Sequence, residues 1–125
     1  MRLLLDTQIF LFYLADSGKL SKKVRSDIAR ADEVFISAAS IWEAAIKTAI
    51  GKLSVSPVGL VEGISASGFA ELPVSALHAS RVAALPHHHR DPFDRLLVAQ
   101  AILEPLHLLT MDAALKPYTE LVVLV

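Results

Sequence analysis

The sequence predicts a three-layer α/β/α domain with a central, mainly parallel sheet. Short apolar runs alternate along the chain with longer segments of helical pattern, the order expected when parallel strands are joined by right-handed helical crossovers. The strand candidates are apolar at successive positions rather than at every second one, as in sheets covered on both faces. The chain is 125 residues long. At roughly 100–200 residues per domain, that makes residues 1–125 a single domain. No fixed-period repeat and no low-complexity linker divides it.

The elements follow in order. Arg2 to Leu5 is a short strand that ends at Asp6. Thr7 to Ala15, with Ile9, Phe10, Phe12, Tyr13 and Leu14, suits a helix covered by neighbours. Ser21 is placed to cap a basic helix from Lys22 to Ala31. Val34-Phe35-Ile36 is strand-like, and Ala39 to Ile50 is helical, with Gly51 as its stop. Ser56-Pro57 opens a helix that runs to about Ser67. Phe69 to Leu72 is a weak strand, and Pro73 to Leu85 is helical after its first residues. Asp91 to Leu103 is the clearest helix, followed by Pro105. Leu106 to Thr110 and Leu121 to Val125 complete the strands.

Composition removes several function classes. There is no cysteine, which excludes disulfide scaffolds, cysteine zinc sites and thiol catalysis and fits a reducing, cytoplasmic setting. Hydrophobic residues make up 54% and charged residues 20% of the chain, enough to bury a core and too apolar for wholesale disorder. The most apolar stretch, Leu3 to Ala15, is interrupted by Asp6 and Gln8. It is too short for the ~20 residues a membrane span needs. As a signal peptide it would have only Arg2 as a basic start, and Asp6 sits where the apolar region should run.

In open parallel sheets, sites lie beyond the carboxyl ends of the strands. Asp6 follows the first strand, and Asp112 lies just past Thr110 at the end of a later one. Glu43 sits about one turn into the helix after Val34–Ile36, and Asp94 in the first turn of the helix beginning near Asp91. Four carboxylates from four distant segments therefore reach the same edge. Crowded carboxylates repel unless a cation joins them. Mg²⁺ or Mn²⁺ prefers oxygen ligands, activates water and steadies the charge of phosphoryl transfer.

The charge distribution agrees. The net charge is −1. Setting aside the four acids leaves +3 on the rest, with Lys19, Lys22, Lys23, Arg25 and Arg30 close together in sequence. Such a surface is compatible with a phosphate backbone.

Each acid also has an ordinary structural reading. Asp6 can cap the Thr7 helix, and Asp112 the turn at Ala113–Lys116. Glu43 and Lys47 have i, i+4 spacing, as in helix-surface ion pairs. Asp94 can belong to a capping arrangement.

The order Leu3-Leu-Leu-Asp6-Thr7, then Ser37-Ala-Ala-Ser-Ile-Trp42-Glu43-Ala-Ala-Ile-Lys47, then His88-His-Arg-Asp91-Pro-Phe-Asp94-Arg-Leu-Leu-Val-Ala-Gln-Ala101, then Leu109-Thr110-Met-Asp112 resembles the PIN-domain nucleases. It is most similar to the VapC-like toxins of bacterial type II toxin–antitoxin pairs. The likeness covers nearly the whole chain. It implies a Mg²⁺- or Mn²⁺-dependent endoribonuclease, an RNA substrate, a small cognate antitoxin and a homodimer. It places the family's acidic, metal-holding set on Asp6, Glu43, Asp94 and Asp112, with Thr110 lining the site.

Other residues near these motifs have two readings. Asp91-Pro92 fits a helix cap followed by proline at the first position, yet Asp91 shares a helix face with Asp94 and could line the site. Arg90 and Arg95 could contact phosphate or pair with a site carboxylate. His87, His88 and His89 are adjacent and cannot all point one way, which rules against a zinc site built from them alone. They could touch RNA or hold the loop. Trp42 points about 100° away from Glu43 around its helix, toward the core, an antitoxin or a stacked base. Two other activities compete with the nuclease. One is a non-catalytic RNA- or antitoxin-binding module. The other is a phosphohydrolase using Asp6 as nucleophile, which would ordinarily carry a second aspartate where Gln8 stands.

Overall fold

The structure, a computed structural model, describes all 125 residues. Five parallel strands form one sheet: β1 (Arg2–Leu5), β2 (Glu33–Ser37), β3 (Ala70–Leu72), β4 (His107–Thr110) and β5 (Val122–Leu124). The order across the sheet is β3-β2-β1-β4-β5. Every pairing is parallel. Six α-helices connect them: α1 (Thr7–Leu14), α2 (Lys22–Arg30), α3 (Ala38–Ala49), α4 (Pro57–Ala66), α5 (Ala76–Arg81) and α6 (Pro92–Leu103). Two 3₁₀ turns, Val82–Ala84 and Ala113–Tyr118, complete the chain.

The continuous apolar strands serve two cores, because successive side chains leave a strand on opposite faces. Leu3 and Leu5 of β1, with Val34 and Ile36 of β2, pack against Ile9 and Phe10 of α1, Val24 and Ile28 of α2, and Leu60 and Ile64 of α4. Leu4 and Leu108 pack on the other side against Leu97, Val98 and Ala101 of α6 and Leu115 of the second 3₁₀ turn. Each fully buried leucine or isoleucine contributes about 1.5–3 kcal/mol. The double coating is what fixes β1 at the centre of the sheet.

Local signals set the helix ends. Asp6, Ser21, Ser37, Ser56, Ser75 and Asp91 each accept an amide hydrogen at the start of the following helix. Gly51, with φ 77°, takes the left-handed turn beyond α3.

The largest departure from the sequence expectation lies between Pro73 and Leu85. There α5 is only six residues long and gives way to a 3₁₀ turn. Ser75 and His78 form a reciprocal capping box, so the helix cannot begin earlier. No helix is long and apolar enough to cross a membrane.

Candidate active site

The carboxyl ends of β1 and β4 lie side by side. The Asp6 amide donates to the Leu109 carbonyl (3.0 Å), extending the β1–β4 ladder by one residue. This sets Asp6 beside Thr110, whose hydroxyl donates to Asp6 Oδ2 (2.5 Å). The other oxygen, Oδ1, accepts from the Ile9 amide (2.8 Å) and caps α1. One oxygen of this carboxylate caps α1, as the sequence allowed, while the other is held by Thr110 and the residue lines the cleft.

Asp112 is divided in the same way. Its Oδ1 accepts from the Ala114 amide (3.0 Å), capping the 3₁₀ turn. Its Oδ2 lies 2.8 Å from His89 Nε2. Thr110 Oγ1 also accepts the Asp112 amide hydrogen (3.0 Å). A single buried hydroxyl therefore ties the two strand-end aspartates together.

Glu43 is buried midway along α3. Thr7 Oγ1 donates to its Oε1 (2.7 Å) and lies 2.9 Å from Ser40 Oγ. Lys47 Nζ donates to Oε2 (2.7 Å). The i, i+4 pair exists, but its acid end is buried and turned into the cleft. Bonding to Glu43 holds the Lys47 ammonium above its ordinary range.

Asp6, Glu43, Asp91, Asp94 and Asp112 all line one cleft of about 490 Å³, with Lys47 and Lys52 among its walls. The four expected acids are brought together. Asp91 joins them at the rim, half-buried, with Oδ1 accepting from the Phe93 and Asp94 amides as a helix cap.

The electrostatics record the crowding. Burial raises the Asp6 carboxyl above its ordinary value; Glu43 and Asp112 add to this, against the bonds from Thr110 and Ile9. Burial, with Asp91, Glu43 and Asp6 nearby, pushes Asp94 up to about 7, and His89 opposes the shift. All the donor atoms of the four acids are oxygens. Buried carboxylates with too little positive charge among them suit a hard divalent cation. Asp6, Glu43, Asp94 and Asp112 are the residues that could hold one.

Three expectations need correction or addition. Arg95 does not line the site. Its guanidinium is buried and donates to the Pro86, Val82 and Leu85 carbonyls and to the Tyr118 hydroxyl. Arg90 is exposed and lies outside the cleft lining. Trp42 is 59% exposed, not in the core, and meets Phe93 edge-on at 5.0 Å.

The sequence reading found no histidine in a ligand set, yet His89, Asp94 and Asp112 bring ligand-type atoms within 4.8 Å of one another. Thr7 and Lys52 were also missed. Thr7 directly follows Asp6, so its position beside the strand end was a usable signal. Nothing in the sequence marked Tyr118.

Among solved structures, a chain of VapBC2 from Rickettsia felis, crystallised with a DNA fragment from its promoter, has a TM-score of 0.73 and 18% identity. The match covers 99% of this chain and 97% of that one. A toxin–antitoxin complex from Klebsiella pneumoniae gives 0.66 and 21%, covering 96% and 94%. FitAcB from Neisseria gonorrhoeae gives 0.61 and 18%, covering 90% and 88%. These likenesses are of fold. No curated protein sequence matches the chain. The PIN domain family model matches residues 3–121, a span that begins in β1, takes in all five cleft acids and stops just before β5, and the chain therefore belongs to the PIN domain family.

Proposed function

We propose that this protein is a metal-dependent endoribonuclease and the toxin of a toxin–antitoxin pair. The supporting observation is the convergence of Asp6, Glu43, Asp94 and Asp112 on one cleft at the carboxyl edge of the sheet in a PIN-domain chain. In this reading the four acids hold Mg²⁺ or Mn²⁺. Such a cation, when bound, activates water and steadies the negative charge of phosphodiester hydrolysis.

The chain's own residues supply orientation. The Thr110 hydroxyl fixes Asp6 by donating to it and Asp112 by accepting its amide hydrogen. Thr7 and Lys47 fix the two oxygens of Glu43. Lys47 and Lys52 in the cleft wall offer positive charge to the RNA backbone. The partners in this reading are a cognate antitoxin and a second copy of the chain; the toxin–antitoxin complexes that share its fold support the first, and its setting is the cytoplasm. An intact four-acid set favours turnover over a purely binding role.

Incubation of the antitoxin-free protein with total RNA tests this. Cleavage should require Mg²⁺ or Mn²⁺, stop with EDTA, and fall more than about 100-fold in Asp6→Asn, a range already reached when a group that merely steadies a metal ligand is lost. Full cleavage by a folded Asp6→Asn protein would remove the acid from the mechanism, and no cleavage by the wild type with either metal would leave the binding module.

Thr110→Val keeps the shape of the side chain and deletes both of its site bonds. Divalent-ion affinity, read by calorimetry, should fall about 10–100-fold with little loss of fold. An unchanged affinity would show that Asp6 and Asp112 hold their positions unaided.

A further inference from the structure

His89 stands among the carboxylates without a task in the scheme above. Its Nδ1 accepts the Asp91 amide hydrogen (3.0 Å), so in the neutral ring the proton resides on Nε2. That nitrogen lies 2.8 Å from Asp112 Oδ2 and 3.5 Å from Asp94 Oδ2. A histidine that ligates a metal has the reverse pattern: it donates its far N–H to a carboxylate or carbonyl and turns a lone pair to the ion. Here the far nitrogen is the acceptor and the N–H points inward.

The ring is also held in place. The backbone amides of His88 and His89 both donate to the Tyr118 hydroxyl (3.1 and 2.8 Å). Arg95 Nη1 donates to the same oxygen (3.0 Å) and to the Pro86 carbonyl (2.8 Å). The loop that carries His89 is thus anchored by Tyr118 and Arg95, neither of which lines the cleft.

Paired-cation sites hold their ions roughly 3.5–4 Å apart with carboxylates between them. Asp94 is grouped with Asp112 and His89, their ligand-type atoms within 4.8 Å of one another. It also feels the charges of Glu43 and Asp6, and its Oδ2 already faces the imidazole. We infer that His89 fills, with an N–H, the space between Asp94 and Asp112 that a second divalent cation would need, so that the site takes one ion, on the side of Asp6, Glu43 and Asp94. This inference rests on the reading of the four acids as a cation site. His89 is on this account a positioning residue: it replaces part of a cation's role by donating one hydrogen bond and orienting Asp112.

The test counts bound Mn²⁺ by the loss of the free-ion signal in electron paramagnetic resonance. It uses the purified full chain as wild type, His89→Ala and His89→Gln. Glutamine carries an amide N–H to about the reach of imidazole Nε2. The expected counts are one ion for wild type, two for His89→Ala and one for His89→Gln, with the fold of each checked by circular dichroism. Two tightly bound ions in the wild type would overturn the inference whatever the variants do. So would a single ion in a folded His89→Ala, or a first-ion affinity that drops tenfold or more there, which would make the imidazole a ligand. No Mn²⁺ bound by the wild type would overturn the cation reading itself, and that outcome is distinct from the others.

Discussion

Asp94→Asn should yield a protein that is inactive and, without metal, more stable than its parent. Burial and three neighbouring acids push Asp94 up to about 7, against an ordinary value near 3.9 for an unfolded chain. Between those two values the folded state binds more protons than the unfolded one. The stability of the metal-free protein therefore falls as pH rises from about 4 to about 7 and levels off above. The carboxyl is partly exposed to solvent, so the gain on replacing it at pH 8 is set at about 1–2 kcal/mol rather than the full value of the shift. That corresponds to about 4–8 °C in Tm. The asparagine variant should show a flatter pH profile over the same range.

Divalent metal should reverse the ranking. On the proposed reading it would bind the folded wild type and stabilise it by mass action, and the variant would lack one ligand. Cleavage should fall more than about 100-fold. Thermal melts at pH 5, 6, 7 and 8, with EDTA and with Mg²⁺, check all of this. A variant less stable than wild type at pH 8 in EDTA would show that Asp94 is not under repulsion.

Arg95→Ala should be among the most damaging single changes outside the two cores. The guanidinium satisfies three carbonyls of the 82–86 segment and meets the Tyr118 hydroxyl. Removing it leaves the buried Leu85 carbonyl without its side-chain donor, strips one from the exposed Pro86 and from Val82, whose carbonyl keeps the Leu85 amide, and empties the space of a buried side chain. An unpaired buried acceptor alone costs about 1–3 kcal/mol. A total of roughly 3–4 kcal/mol is expected after local relaxation, a large share of the 5–15 kcal/mol typical of a domain. Arg95→Lys should recover only part of this, because an ammonium cannot reach a spread of carbonyls as a planar fork does. Chemical denaturation of the three proteins measures it. An alanine variant with the wild-type midpoint would mean that the segment is held by something else.

The contrast between Arg95 and its helix neighbours shows what a sequence can and cannot reveal. Asp91-Pro92 was legible because a cap acts on amides two and three residues away. The convergence of the four acids was legible because parallel strands must end on one edge. Arg95 was not, since its acceptors are carbonyls presented by a bend nine to thirteen residues earlier, and backbone oxygens carry no signature in side-chain identity. His89 hid for a related reason: its role depends on which ring nitrogen receives the Asp91 amide. Trp42 was read toward the core, an antitoxin or a base. The helix period fixes its angle from Glu43 but not what stands opposite, and α3 leaves that face open. The start of α5 at Ala76 agrees with a helix that begins after the first residues from Pro73, although the capping box that fixes it forms through His78, a residue that a search for glutamate or glutamine at that position passes over. The shortening lies at the other end, where Val82–Ala84 is a 3₁₀ turn.

The place of β1 at the centre of the sheet also orders events in time. Its neighbour on one side, β2, is near in sequence, with Arg2 opposite Glu33. Its neighbour on the other is β4, and the bond between Thr110 and Asp6 closes a separation of 104 residues. Loop-closure entropy and synthesis from the N-terminus both delay that contact. A polypeptide that has emerged from the ribosome only as far as β3 owns Asp6 and Glu43 but neither Asp94 nor Asp112. Under the proposed activity, fragments and stalled translation products are therefore harmless to the RNA around them, and the ability to cut arises only when the last fifth of the chain folds onto the first strand.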